Sequence, residues 1–182
     1  MTSIFSQPDI VVNNNIARSG KIVFIGFPAV GKTTLMKLLT QRIIDKKYNP
    51  TQGFDLGSIY YNGFRISLWD FGGQKAYLKQ NLTQYIHGAD LVFIVTDSTP
   101  KNVLSTKELV EYTQSLLPED SCRIIALANK QDLPGHMDPQ RIKNVLQIPT
   151  IGICAIDPTY RDVLIEAITW CLEQIQNEKS NF

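Results

Sequence analysis

An apolar run, Ile22-Val23-Phe24-Ile25, passes directly into Gly26-Phe27-Pro28-Ala29-Val30-Gly31-Lys32-Thr33, and Leu35, Leu38, Leu39 and Ile43 then recur at the spacing of one helix face. Buried strand, glycine loop, helix is the context in which the pattern G-x-x-x-x-G-K-T wraps a phosphate chain. The loop turns its backbone N–H groups inward, and the helix N-terminus adds partial positive charge. Gly26, Ala29, Val30, Gly31, Lys32, Thr33 and Thr34 are therefore candidate nucleotide contacts. The Lys32 ammonium is directed to the outer phosphates and the Thr33 hydroxyl to a Mg²⁺ ion. A chance glycine turn before a helix explains the loop but not its agreement with both flanks.

A chain of 182 residues has the length of one domain with its own core. Apolar runs alternate with helix-period segments along it. Strands are expected at Lys21–Gly26, Phe54–Tyr61, Phe64–Asp70, Leu91–Thr96, Arg123–Ala128 and Thr150–Ala155, and helices at Lys32–Lys47, Lys75–His87, Asn102–Leu117, Pro139–Leu146 and Tyr160–Gln176. Such alternation implies an α/β sheet with helices on both faces. Residues 1–20 read differently. Pro8, Asn13-Asn14-Asn15 and Gly20 interrupt Ile4, Phe5, Ile10, Val11, Val12 and Ile16, which suggests an N-terminal extension that docks on the domain or trails from it. Residues 21–177 are the domain, and 178–182 a short tail.

One pair of strands breaks the alternation. Tyr61-Asn62-Gly63-Phe64 is a two-residue hairpin signal, which sets Tyr61 against Phe64, Ile59 against Ile66 and Leu56 against Trp69. Period two then places Ile59, Tyr61, Phe64, Ile66 and Leu68 on one side, expected to face the core, and Phe54, Leu56, Tyr60, Arg65 and Trp69 on the other. That second face is too apolar for plain solvent, so the extension or a partner is expected to cover it.

The strand after the hairpin runs into Trp69-Asp70-Phe71-Gly72-Gly73-Gln74. A carboxylate at the carboxyl end of a parallel strand lies at the ligand crevice, where Asp70 can complete a Mg²⁺ shell opposite Thr33. Gly72 and Gly73 permit close backbone approach to a terminal phosphate. The Gln74 amide donates and accepts, and so can orient a water for in-line attack. Gln74, Lys32 and Gly73 are the candidate catalytic residues. Thr51, between the first helix and the hairpin, can give its hydroxyl to the metal and its N–H to the γ-phosphate. Asn129-Lys130-Gln131-Asp132 follows an apolar strand. The Asp132 carboxylate can accept from guanine N1–H and the 2-amino group, donors that adenine lacks, while Lys130 lies along the base and Asn129 braces the loop.

In this order the motifs resemble those of the Ras-like small GTPases. Pro50-Thr51-x-Gly53-Phe54, Trp69-Asp70-x-Gly72-Gly73-Gln74 and Asn129-Lys130-Gln131-Asp132-Leu133-Pro134 are most similar to the Arf and Arf-like family, over roughly residues 20–176. The resemblance implies a P-loop NTPase G domain: a six-stranded, mostly parallel sheet with one antiparallel edge hairpin and helices on both faces. It implies GTP and GDP with Mg²⁺ held at Thr33, Thr51 and Asp70, hydrolysis of GTP to GDP and phosphate, and base contacts from Cys154 and Ala155. It also implies a surface of Phe54, Trp69 and Tyr85 read by an exchange factor, a GTPase-activating protein and effectors, in a monomer that regulates membrane-associated or trafficking processes. Four departures stand out. Thr2 follows Met1, so no glycine is available for myristoylation. Pro28 removes a loop N–H. Ile156 stands where the family has threonine after Cys-Ala. The span from Asp132 to Cys154 is short.

Composition narrows the readings. Lys and Arg number 18 against 17 Asp and Glu, which argues against a nucleic-acid footprint. Cys122, Cys154 and Cys171 lack metal spacing and fit a reducing cytosol, and the C-terminus Glu178-Lys179-Ser180-Asn181-Phe182 is no prenylation box. The expectation is a cytoplasmic protein with weak peripheral membrane contact through its N-terminal extension. Asn49, two residues before Thr51, supplies no arginine in cis, so unassisted hydrolysis is expected to be slow. The main alternative is a guanine-nucleotide-binding scaffold with negligible turnover, against which Gln74 argues. An ATP-using P-loop enzyme conflicts with Asp132.

Overall fold

Eleven elements make up the described part of the chain, in a computed structural model that describes residues 18–44, 51–117 and 122–180. They are β1 (Arg18–Ile25), α1 (Lys32–Leu39), β2 (Phe54–Tyr61), β3 (Phe64–Phe71), α2 (Lys75–Ile86), β4 (Leu91–Thr96), α3 (Pro100–Leu116), β5 (Arg123–Ala128), α4 (Pro139–Leu146), β6 (Thr150–Gly152) and α5 (Tyr160–Ser180). The strands form one sheet in the order β2-β3-β1-β4-β5-β6. All neighbours are parallel except β2 and β3. This is the expected six-stranded arrangement with an antiparallel edge hairpin. Chain order reverses at β1, which lies between β3 and β4, and this switch opens a crevice at the carboxyl ends of the strands.

Each face of the sheet carries its own core. On one, Ile22, Phe24, Ile66, Leu68 and Phe93 pack beneath Leu35 and Leu39 of α1 and Leu164, Ile168 and Leu172 of α5. On the other, Val23, Ile25, Val92 and Ile94 pack beneath Leu78, Leu82, Val103, Val110 and Ile142 of α2, α3 and α4. β4 is wholly buried, as an apolar strand covered on both sides should be.

The hairpin register is the expected one, with Tyr61 opposite Phe64, Ile59 opposite Ile66 and Leu56 opposite Trp69. Ile59, Phe64, Ile66 and Leu68 are buried, but Tyr61, beside the turn, is 44% exposed, so the core face does not extend to the tip of the hairpin among the described residues. Phe54, Leu56 and Tyr60 are exposed on the opposite face. The apolar residues expected to cover that face, Ile4 to Ile16, lie outside the described residues.

Several boundaries differ from the sequence reading. β1 begins at Arg18, before Lys21, because it pairs with β3 from Phe64 onward and Gly20 passes beneath Leu172 of α5. α1 stops at Leu39 rather than Lys47: Gln41 takes a left-handed φ of 55° and Arg42 N–H donates to the Lys37 carbonyl at 2.9 Å. α3 starts at Pro100, capped by the Thr99 hydroxyl, which accepts from Asn102 N–H. β6 is cut to Thr150–Gly152 because the chain peels away to carry Cys154 and Ala155 over the crevice, and α5 continues past Gln176 to Ser180.

Candidate functional site

A cleft of about 500 Å³ opens at the carboxyl edge of the sheet. Ala29 and Gly31 line it from the loop after β1, Lys32, Thr33 and Thr34 from the first turn of α1, Thr51 and Gly73 from the loops beside the hairpin, Asn129, Lys130 and Asp132 from the loop after β5, and Cys154 and Ala155 from the loop after β6. Gly26 and Val30, also expected as nucleotide contacts, do not line it. Its volume suits a nucleotide-sized ligand.

Lys32 is buried at one end. Its ammonium donates to the carbonyls of Gly26 (2.9 Å) and Phe27 (3.0 Å). Burial pushes its pKa down to about 8, against the opposing attraction of Asp70. A desolvated ammonium at the start of α1 suits an anionic ligand.

Beside it three oxygens converge. Thr33 Oγ1 donates to Asp70 Oδ2, Thr51 Oγ1 donates to the same atom at 3.3 Å, and the two hydroxyls are 2.8 Å apart. Asp70 is fully buried, and its Oδ1 has no hydrogen-bond partner. Burial raises its pKa, while the Thr33 bond, the Lys32 charge and the Thr51 bond hold it down. A buried carboxylate oxygen without a partner lacks a cation or donor. One carboxylate with two hydroxyls is the sparse oxygen set that suits Mg²⁺, which takes its other ligands from water and phosphate. Among the described residues no group of three His, Cys, Asp or Glu converges, which sets this cluster apart from a zinc site.

The loop after β3 touches this end by backbone. A Cβ on Gly73 would stand 2.5 Å from the Phe27 carbonyl carbon and 2.6 Å from the Gly26 oxygen and the Pro28 nitrogen. A Cβ on Gly72 would stand 2.7 Å from the Thr51 carbonyl oxygen. The double glycine therefore lets this loop lie against the phosphate-binding loop. Gln74 sits just before α2, exposed and outside the cleft lining.

At the far end the loop after β5 is tied across the cleft. Asn129 is buried; its Nδ2 donates to the Val30 carbonyl at 2.8 Å, and its Oδ1 accepts from Ala155 N–H at 2.9 Å. Lys130 donates to the Ala29 carbonyl at 2.7 Å. The Cys154 thiol donates to Asp132 Oδ1 at 3.1 Å, and burial followed by that bond raises its pKa, which keeps it a donor. The Ile156 side chain is exposed and has no hydrogen-bonding group with which to brace the loop.

On the outer hairpin face the Phe54 and Trp69 rings stack at 6.0 Å, Trp69 and Phe71 at 6.1 Å, and Phe71 and Tyr85 at 3.6 Å. Phe71 joins the three aromatic residues singled out from the sequence, and its burial under α2 connects hairpin to helix. The sequence reading also missed Lys37, Ile44 and Leu133, which line the cleft. Lys37 stands one turn along α1 from Thr33 and Leu133 follows Asp132, signals that spacing could have supplied. Ile44 has none.

Fold and cleft together define a P-loop nucleotide-binding domain. A model of the ADP-ribosylation factor family matches residues 8–176, and the chain belongs to that family, the Arf family of small GTPases. It is similar to ADP-ribosylation factor-like protein 3 of Chlamydomonas reinhardtii, with 31% identity over 86% of this chain and 90% of that protein. With ADP-ribosylation factor-like protein 5 of Caenorhabditis elegans the identity is 32% over 85% and 90%. With ADP-ribosylation factor-like protein 2 of Drosophila melanogaster it is 28% over 87% and 88%. Arf-family proteins bind GTP and GDP, generally with Mg²⁺, hydrolyse GTP, and act as switches through regulators and effectors. No helix among the described residues is long and apolar enough to cross a membrane.

Proposed function

We propose that this chain is a GTP-operated switch whose triphosphate form recruits effectors in membrane-associated or trafficking processes. The observation that carries the reading is the polarity of one cleft. Lys32 and the Thr33–Thr51–Asp70 cluster stand at one end, and Asp132 with Asn129 and Lys130 at the other. Thr33, Thr51 and Asp70 would hold Mg²⁺, directly or through water, where it would supply charge neutralisation for the phosphates. Lys32 exchanges its two carbonyl partners for phosphate oxygen. Thr51 and Gly73 would both contact the terminal phosphate, so that its loss would free both loops. Gln74 turns inward to orient the attacking water. The aromatic row Phe54, Trp69 and Tyr85 is the face that regulators and effectors read, and the N-terminal extension lends a weak peripheral membrane contact.

Asp132→Asn tests the base end. The amide replaces one acceptor by a donor, so preference is expected to move from GTP toward XTP. Competition binding with both nucleotides measures it, and an unchanged GTP preference in the variant rejects the assignment. A second reading, a guanine-nucleotide scaffold with negligible turnover, is favoured by the exposed Gln74 outside the cleft lining. A single-turnover assay separates the two: phosphate release from prebound GTP supports the switch, and GTP that persists intact supports the scaffold.

A further inference from the structure

Ser98 follows β4 and does not line the cleft, yet it is tied to the loop that does. It is fully buried, with a left-handed φ of 66° that a non-glycine residue rarely adopts. Its Oγ donates to the Asn129 carbonyl at 2.6 Å and accepts from Gln131 Nε2 at 2.8 Å. Gln131 Nε2 also donates to the Met137 carbonyl at 3.2 Å, and Met137 N–H returns to the Ser98 carbonyl at 2.8 Å. Behind Ser98, its N–H donates to Thr96 Oγ1 at 3.2 Å, and that hydroxyl donates to Asn102 Oδ1 of α3 at 2.7 Å.

The Asn129 carbonyl belongs to the peptide that joins Asn129 to Lys130, and Lys130 itself has a φ of 64°. Rotation of that peptide would redirect both side chains and, two residues on, Asp132. The Ser98 hydroxyl holds the carbonyl on the side away from the cleft. Gln131, the one residue of Asn129-Lys130-Gln131-Asp132 that does not line the cleft, holds the hydroxyl in turn.

We infer that Ser98 and Gln131 form a clamp that fixes the Asn129–Lys130 peptide, and that Ser98 is a positioning residue for recognition of the base. The inference rests on the guanine reading given above. It assigns Ser98 no contact with nucleotide; it acts through Asn129 and, by way of the loop, Asp132.

Ser98→Ala, Ser98→Gly and Gln131→Leu test it. Glycine removes the hydroxyl while relieving the left-handed backbone, so stability and positioning move apart in that variant. Release of a fluorescent GDP is expected to accelerate about tenfold in both Ser98 variants, the scale of one buried hydrogen bond lost. Preference for GDP over IDP, which lacks the 2-amino group that Asp132 would accept from, is expected to fall. Ser98→Ala combined with Gln131→Leu is expected to do no more than either alone. A Ser98→Gly protein that releases GDP at the unaltered rate overturns the inference, as does equal acceleration of GDP and IDP. Hydrogen exchange at residues 129–132 of the ligand-free proteins judges the clamp independently of guanine binding. Faster exchange in both Ser98 variants supports it, and unchanged exchange overturns it. Failure of the unaltered protein to bind GDP would count against the guanine reading alone.

Discussion

Asp70 and Lys32 are charged groups placed where neither is comfortable alone. Burial raises the pKa of one and lowers that of the other, and each is the other's countercharge. Both strains point the same way, toward a ligand that brings negative phosphate and a cation together. Gly73 constrains the same end by shape. Gly73→Ala places a methyl 2.5 Å from the Phe27 carbonyl carbon, so one loop must give way. Overpacking of that kind costs about 1–3 kcal/mol, and GTP turnover is expected to fall roughly tenfold or more, with a smaller change in GDP affinity. Turnover and affinity measured side by side check this; an unimpaired rate contradicts it. At this scale much of the cleft lining was legible, because the loop pattern, Thr51, Gly73 and Asn129-Lys130-Gln131-Asp132 each carry chemistry in their residue types. Ser98 was not. A buried serine in a bend has no pattern of its own, and its partners are 31 and 33 residues away in sequence.

Elements were legible where period and punctuation agreed. Asn62-Gly63 set the hairpin register, and the buried strand β4 announced itself by an unbroken apolar run. Helix ends were less so. Ile43 continues the apolar spacing of α1, while the chain turns out at Gln41. Apolar spacing starts α3 at Asn102, two residues late, because the cap Thr99-Pro100 contributes nothing to that spacing. α4 offers a direct test of such endings. Its C-cap Gln147 takes φ 58° and donates its N–H to the Lys143 carbonyl, a role that glycine fills without a Cβ penalty. Gln147→Gly is expected to stabilise the protein by about 1 kcal/mol, raising the melting temperature by roughly 2–4 °C. A calorimetric scan decides; a fall in melting temperature would show that the glutamine side chain matters more than its backbone.

Across the whole molecule, alternating strands and helices made the α/β architecture readable. The two-sided core and the crevice at the β1 switch follow from topology, which no local window contains. One partly buried thiol gives the assembled fold an alkaline limit. Burial pushes Cys122 up to about 12, with the Asp90 charge adding to it. The folded state thus binds this proton more tightly than the unfolded chain, whose thiol titrates near its ordinary value of 9.0. The contribution is complete below that value and is lost as pH rises toward about 12. Lys32, with its lowered pKa, acts in the opposite sense between about 8 and 10.5. Comparison of unaltered protein with Cys122→Ala cancels the Lys32 part: the variant is expected to lose less melting temperature on going from neutral to alkaline buffer, and identical slopes would rule the thiol out. The order of the elements has a further consequence for the chain as it leaves the ribosome. β1, near the middle of the sheet, is synthesised first, yet Gly20 meets its cover, Leu172, only when α5 emerges. Cys154 and Ala155 also come late, so a nascent chain holds a finished phosphate loop but no place for the base. Until the last helix arrives, one face of the sheet is covered by α1 alone, and chaperone protection is owed to the newborn protein before nucleotide can stabilise it.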